Sequence, residues 1–155
     1  MRPYVKRVAS ISENQEHSDY DFVIIDTPPS LGALSVNSMA AAEDGVIIVS
    51  NLDVMSTRGI ESFIESTQMV QMANPSHRGI LGILFALYSD RRQVDRQVDN
   101  WAKQFLPIPV FDTRIPETSN VKKANSSKFL VSQIDKKMKA AYDAFAYEVL
   151  YATEH

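Results

Sequence analysis

The sequence contains no cysteine. Disulfides, thiolate metal sites and a cysteine nucleophile are therefore excluded together. Glycine is scarce, with five in 155 residues, and no pair of glycines is followed by a lysine at the spacing of a phosphate-cradling loop. His17, His77 and His155 lie far apart in polar or terminal segments, so a histidine-based metal site is not expected. No Ser-His-Asp arrangement stands out. Long hydrophobic runs are missing too. The longest, Ile80 to Leu87, is too short to cross a bilayer. Met1 to Asn14 has no long apolar stretch, so no secretory signal is expected. The expected compartment is the cytoplasm.

What is present describes a soluble globular chain. Apolar residues make up 45% and charged residues 23%, and the length fits one domain of modest core. The net charge of -3 hides an asymmetry. Residues 1–77 carry four Lys/Arg and ten Asp/Glu, whereas residues 78–155 carry twelve and nine. The basic second half fits either contact with an acidic partner such as nucleic acid or a mixed, solvated surface.

Strand and helix patterns alternate. Phe22–Ile25, Val46–Val49 and Ile80–Leu87 are apolar runs of the kind buried on both faces of a parallel sheet, and Val110-Phe111 begins a further short strand. Between them, Ile60, Phe63, Ile64 and Thr67 share one helix face. Val94, Val98, Trp101, Ala102 and Phe105 share another. Met138, Ala141, Tyr142, Phe145 and Val149 stripe a last helix that Asp135 is placed to cap. A short helix is expected over Tyr4 to Ile11. The alternation predicts an α/β fold with a mostly parallel, doubly wound sheet. No Gly-rich strand-to-helix turn precedes the first strand run.

The segment Tyr20-Asp21-Phe22-Val23-Ile24-Ile25-Asp26-Thr27-Pro28-Pro29-Ser30-Leu31-Gly32 is the most informative. An apolar strand would end in a carboxylate followed by a Thr-Pro-Pro turn. A carboxylate at a strand's end can hold Mg²⁺ or its waters. The two prolines restrict the backbone after it, as suits a loop with two defined states. An apolar run ending in Asp is common, and Asp26 alone could equally cap the next helix.

The whole string is more specific. It resembles the Walker B and switch II segment of the ParA/MinD family of deviant Walker ATPases, of the ParA/Soj partition type. The resemblance continues through Ser35-Val36-Asn37-Ser38-Met39-Ala40-Ala41-Ala42, Asn51-Leu52-Asp53, Thr57-Arg58-Gly59-Ile60 and Asn74-Pro75. Further on it takes in Ile80 to Leu84, Tyr88-Ser89-Asp90-Arg91-Arg92 and Ile115-Pro116. It covers residues 20–150 and matches the second half of the family's domain. It implies a three-layer P-loop-type fold, with residues 1–155 as a single partial domain. The family's Lys-Gly-Gly-x-Gly-Lys-Thr loop and its Asp-x-Asp-Pro-Gln motif do not occur in this sequence.

The resemblance implies ATP and magnesium as cofactors of the complete protein. Asp26 would serve the metal and the attacking water, Thr27, Pro28 and Pro29 the switch, and Pro116 the adenine-contacting segment. After Pro116 this chain reads Glu117-Thr118-Ser119-Asn120-Val121-Lys122-Lys123-Ala124, a departure from the family's pattern that a plain helix start fits equally well. The resemblance also implies an ATP-dependent homodimer, a centromere-binding ParB-like partner, nucleoid association and non-specific DNA binding. Arg91 and Arg92 would make the DNA contacts, with Lys122, Lys123 and Lys128 extending the patch. With no phosphate loop, this chain alone is expected to be inactive. Two other readings stand beside this one. The first is a non-catalytic interaction module. The second is a MinD-like membrane ATPase, which Phe145 to His155 fits poorly because it carries Glu148 and Glu154 and no Lys or Arg.

Overall fold

Three strands, β1 (Val46–Asn51), β2 (Ile80–Tyr88) and β3 (Val110–Pro116), lie side by side in that order in one sheet of parallel strands. They belong to a computed structural model that describes residues 22–28, 30–51 and 56–154. Helices surround them in sequence: α1 (Ala33–Ala41), α2 (Ser56–Ala73), α3 (Gln93–Phe105), α4 (Asn120–Ser127), α5 (Val131–Ile134) and α6 (Lys136–Glu154). The described residues divide into two compact units, one ending at Val46 and joined by Glu65–Gly79, the other ending at Ile64 and resuming from Ile80.

In the second unit, β2 is buried on both faces, as its uninterrupted apolar run requires. Ile83 and Phe85 pack with Ile48 of β1, Ile60 and Ile64 of α2, and Val98 and Ala102 of α3. Leu84, which points the other way, packs with Phe111 and Ile115 of β3 and Met138 of α6. The ring of Phe111 meets that of Phe145 edge-on at 5.1 Å between centroids, the favoured arrangement of two quadrupoles. Gly82 makes this packing possible, because a Cβ there would lie 2.8 Å from the Phe111 ring.

The β2–β3 ladder is irregular. Ile83 pairs with Val110 and Phe85 with Arg114, so β3 spends two extra residues there. Tyr88 pairs with Pro116, so β2 then spends one. The second irregularity coincides with Leu87, whose φ of 56° is uncommon for a residue with a side chain. At the first, the amides of Asp112 and Thr113 turn to the carboxylate of Glu148 on α6, at 2.6 and 2.8 Å. The Thr113 hydroxyl joins the same carboxylate. Arg114 packs its guanidinium over the Phe85 ring and pairs with Asp99 of α3.

The first unit is organised by α1, the second part of α2, and the loop before β2. Met39, Thr67, Val70 and His77 are buried in it. His77 Nε2 lies 2.8 Å from the Met39 carbonyl, and its Nδ1 lies 2.8 Å from the Gly79 amide. A carbonyl only accepts and an amide N–H only donates, so the ring is the neutral Nε2–H tautomer. Gly79 sits at φ 82°, a conformation that disfavours any side chain.

Four expectations are corrected. Val46–Val49 forms a strand but is not buried on both faces, because Ile48 faces the core and Val49, pointing the other way, is exposed. Phe22–Ile25 belongs to no strand, and Phe22, Val23 and Ile24 are 61%, 73% and 92% exposed. Apolar, β-branched composition supplies a preference for extended backbone, but a buried strand also needs ladder partners and covering side chains, and none engage this run among the described residues. Asp26 is accordingly not at the end of a sheet strand. On α3, Val94 and Phe105 are exposed while Val98 and Ala102 are buried, because the core covers only the middle of the helix. On α6, Tyr142 is exposed where Met138, Phe145 and Val149 face the core. The expected helix over Tyr4 to Ile11 lies outside the described residues.

Candidate functional site

Asp26 stands in the stretch Phe22–Pro28, which belongs to no helix or strand, with its side chain exposed beside the equally exposed Thr27 and Pro28. Pro29 lies outside the described residues. The segment after it is tied to the start of α1. The buried Ser35 hydroxyl donates to the Ser30 carbonyl at 2.6 Å, and Gly32 N–H donates to the same carbonyl at 3.0 Å. The loop therefore ends on a fixed helix, while the carboxylate that precedes it is open to solvent. Such a carboxylate can take a hard cation or its waters. No group of three or more His or acidic side chains among the described residues is placed to hold a metal ion.

The loop after β2 is built around Arg92 and Asp95. Asp95 is buried and accepts from the Ser89 amide at 2.8 Å and from Arg92 Nε at 3.0 Å. Arg92 also donates to the carbonyl of the left-handed Leu87 and approaches Glu117 at 3.4 Å. Glu117 in turn donates its amide to the Tyr88 carbonyl at 3.0 Å. Arg92 thus ties the carboxyl ends of β2 and β3 together. Arg91, its neighbour, is exposed. Sequence reasoning missed Arg96, which donates to the Asp90 carbonyl at 2.9 Å and steadies the same loop. Burial, reinforced by Asp90, raises the Tyr88 phenol above its ordinary 10.0.

Pro116 is buried as the last residue of β3, so its ring is part of the packing at the strand's end. The segment after it is held by Asp135, the residue that caps α6. Its Oδ2 accepts from Asn120 Nδ2 and Thr118 Oγ1, both at 2.9 Å. Its Oδ1 accepts from the Lys137 and Met138 amides at 3.0 and 3.1 Å. These hydrogen bonds, that from Asn120 first, lower the Asp135 carboxyl below its ordinary 3.8. The capping role was legible from the Asp135 position; the link to Thr118 and Asn120 was not. Lys122 and Lys123 are exposed on α4.

Comparisons with known proteins bear on this geometry. A family model described as an AAA domain matches residues 8–78. The chromosome-partitioning ATPase Soj of Treponema pallidum is 28% identical over 95% of this chain and 57% of its own length. Soj of Thermus thermophilus is 32% identical over 77% of this chain and 47% of its own. The chain is a homologue of the ParA/Soj ATPases. It spans about half the length of the curated relatives it matches. The crystal structure of cobyrinic acid a,c-diamide synthase from Mycobacterium smegmatis, with an ATP analogue and magnesium bound, superposes with a TM-score of 0.62. That match has 30% identity over 76% of this chain and 45% of the synthase. The parallel sheet and its flanking helices thus match part of the α/β fold of that P-loop ATPase.

Proposed function

We propose that this chain is the ParA-like ATPase segment of a partition protein, and that residues 1–155 form one partial domain of it. The observation that carries the reading is the similarity to a chromosome-partitioning ATPase along 149 residues, a span that takes in Asp26, Thr27, Pro28 and Pro29. In the complete protein, ATP and magnesium would be bound. Magnesium would neutralise charge on the phosphates and hold its waters near the Asp26 carboxylate. Asp26 is exposed and has the hard oxygen donors that such an ion requires. Thr27, Pro28 and Pro29 form the switch, anchored by the Ser35–Ser30 hydrogen bond. Pro116 and the Asp135-held segment after it form the wall for the base.

The same reading assigns an ATP-dependent homodimer, a ParB-like centromere-binding partner and a cytoplasmic, nucleoid-associated location. No helix among the described residues is long and apolar enough to cross a membrane. Non-specific DNA contact falls to Arg91, Arg92, Lys122 and Lys123. Because Arg92 is engaged with Asp95, Arg91 is the more available cation of the pair. The sequence of this chain carries no Lys-Gly-Gly-x-Gly-Lys-Thr loop to cradle the β- and γ-phosphates, and we assign the chain alone no hydrolysis.

The test joins this chain to a ParA-type N-terminal half and measures steady-state ATP hydrolysis with magnesium. Turnover by the joined protein, lost in Asp26→Ala and absent from this chain alone, is the expected result. Turnover by this chain alone, or unchanged turnover in Asp26→Ala, would overturn it.

A further inference from the structure

Asp135 puts its two carboxylate oxygens to different uses. Oδ1 accepts from the Lys137 and Met138 amides, which completes the cap of α6. The cap requires nothing more of the side chain. Oδ2 accepts instead from Thr118 Oγ1 and Asn120 Nδ2, both at 2.9 Å, and neither residue belongs to α6. Thr118 Oγ1 also accepts from the Asn120 backbone N–H at 3.2 Å. Asn120, the first residue of α4, is thus held through its main chain and its side chain from the start of α6.

This arrangement fixes a chemical direction as well as a position. A carboxyl that titrates below the ordinary 3.8 is ionised at neutral pH, and a carboxylate only accepts. Asn120 must therefore turn its NH₂ group to Asp135, which leaves Oδ1 of the same planar amide facing away. Among the described residues no group donates to that oxygen, and Asn120 is only half-buried. It is an acceptor of set orientation. It stands shortly after Pro116, the last residue of β3, and ligands of open parallel α/β sheets bind at the carboxyl ends of strands.

We propose that Asp135 is a positioning residue for base selection, turning Asn120 so that its Oδ1 accepts from an amino group at the 6-position of a purine and disfavours a carbonyl there. The ligand class is an adenine nucleotide. Guanine and hypoxanthine carry an oxygen at that position, and two acceptors that face each other make no hydrogen bond. This role rests on the partition reading, in which the segment after Pro116 forms the wall for the base. A purely structural Asp135 would hold α4 to α6 and leave the choice of base unchanged.

Exchanging one oxygen of Asp135 for nitrogen separates the two roles. In Asp135→Asn the introduced side chain keeps an oxygen for the α6 amides, and Asn caps a helix about as well as Asp. Its NH₂ group faces Asn120, whose amide then reverses and presents a donor outward in place of an acceptor. The test joins this chain to a ParA-type N-terminal half and measures the Kd of adenosine and inosine triphosphates with magnesium. The parent should prefer the adenosine form about tenfold, the worth of one hydrogen bond. Asn120→Ala should bring that ratio close to one, and Asp135→Asn to one or below. Each ratio is taken within one variant, so a general loss of stability cancels. A parent ratio near one, or the parent's ratio retained in both variants, would overturn this role for Asp135 and leave the partition reading intact. A parent that binds neither triphosphate would overturn the partition reading and the role with it.

Discussion

Glu148, near the end of α6, holds Thr113 of β3 through both the Thr113 amide and its hydroxyl. With the Asp112 amide, one carboxylate satisfies three donors that the irregular β2–β3 register leaves outside the ladder. β3 ends the described sheet, and unpaired strand-edge amides invite pairing with another chain. Glu148 covers them.

Removing this acceptor should therefore cost stability and open the edge. Glu148→Ala is expected to destabilise the chain by about 1–3 kcal/mol, with Glu148→Gln intermediate because one carboxamide oxygen remains to accept. Urea unfolding measures the first effect and sedimentation velocity the second. A parent-like, monodisperse Glu148→Ala would show that water satisfies these donors equally well.

Arg91 and Arg92 should separate experimentally. Arg92→Ala leaves the buried Asp95 without its ion-pair partner, a loss of about 1–3 kcal/mol once the half-exposed guanidinium is discounted for screening. Arg91→Glu should leave the melting temperature unchanged. In a complete ParA-type protein carrying this chain, Arg91→Glu should weaken random duplex DNA and lower the salt dependence by roughly one phosphate contact. Equal thermal shifts in the two variants would contradict the assignment.

Asp135 makes stability depend on pH in one direction. Its folded carboxyl titrates below the ordinary 3.8, so its contribution is fully present above that value and is lost as pH falls through the folded value. The stability difference between the parent chain and Asp135→Ala should be constant near neutrality and shrink as acid is added below pH 3.8. Denaturant unfolding at stepped pH reads this difference, and one that grows on acidification would refute it.

His77 is a structural staple with a fixed tautomer. His77→Ala leaves the Met39 carbonyl and the Gly79 amide without their partner, and should cost about 2–3 kcal/mol. His77→Asn, which carries both a donor and an acceptor, should recover part of that. Nitrogen chemical shifts of the ring should show the proton on Nε2. Finding it on Nδ1 would rule out the bond from the Gly79 amide.

Sequence alone determined where an element could be buried. Ile80–Leu87 is apolar but for Gly82, so burial on both faces was legible, as were the Met138–Phe145–Val149 stripe and the Asp135 cap; Val46–Val49 reads the same way, yet its Val49 is exposed. These are local properties: periodicity, β-branching and a carboxylate one residue before a helix. Tertiary structure decided which apolar residues found partners. Phe22–Ile25 has the same composition as the formed strands, yet it is exposed, because a ladder needs a second strand that composition cannot supply. Val94, Phe105 and Tyr142 lie on the predicted stripes, but the folded structure leaves them exposed. Arg92 reads in sequence as a surface cation like Arg91; only the fold brings Asp95 and the Leu87 carbonyl to it. The Glu148–Thr113 contact spans 35 residues, and no local pattern encodes it, because a carboxylate chooses its donors only after the strand and helix have packed.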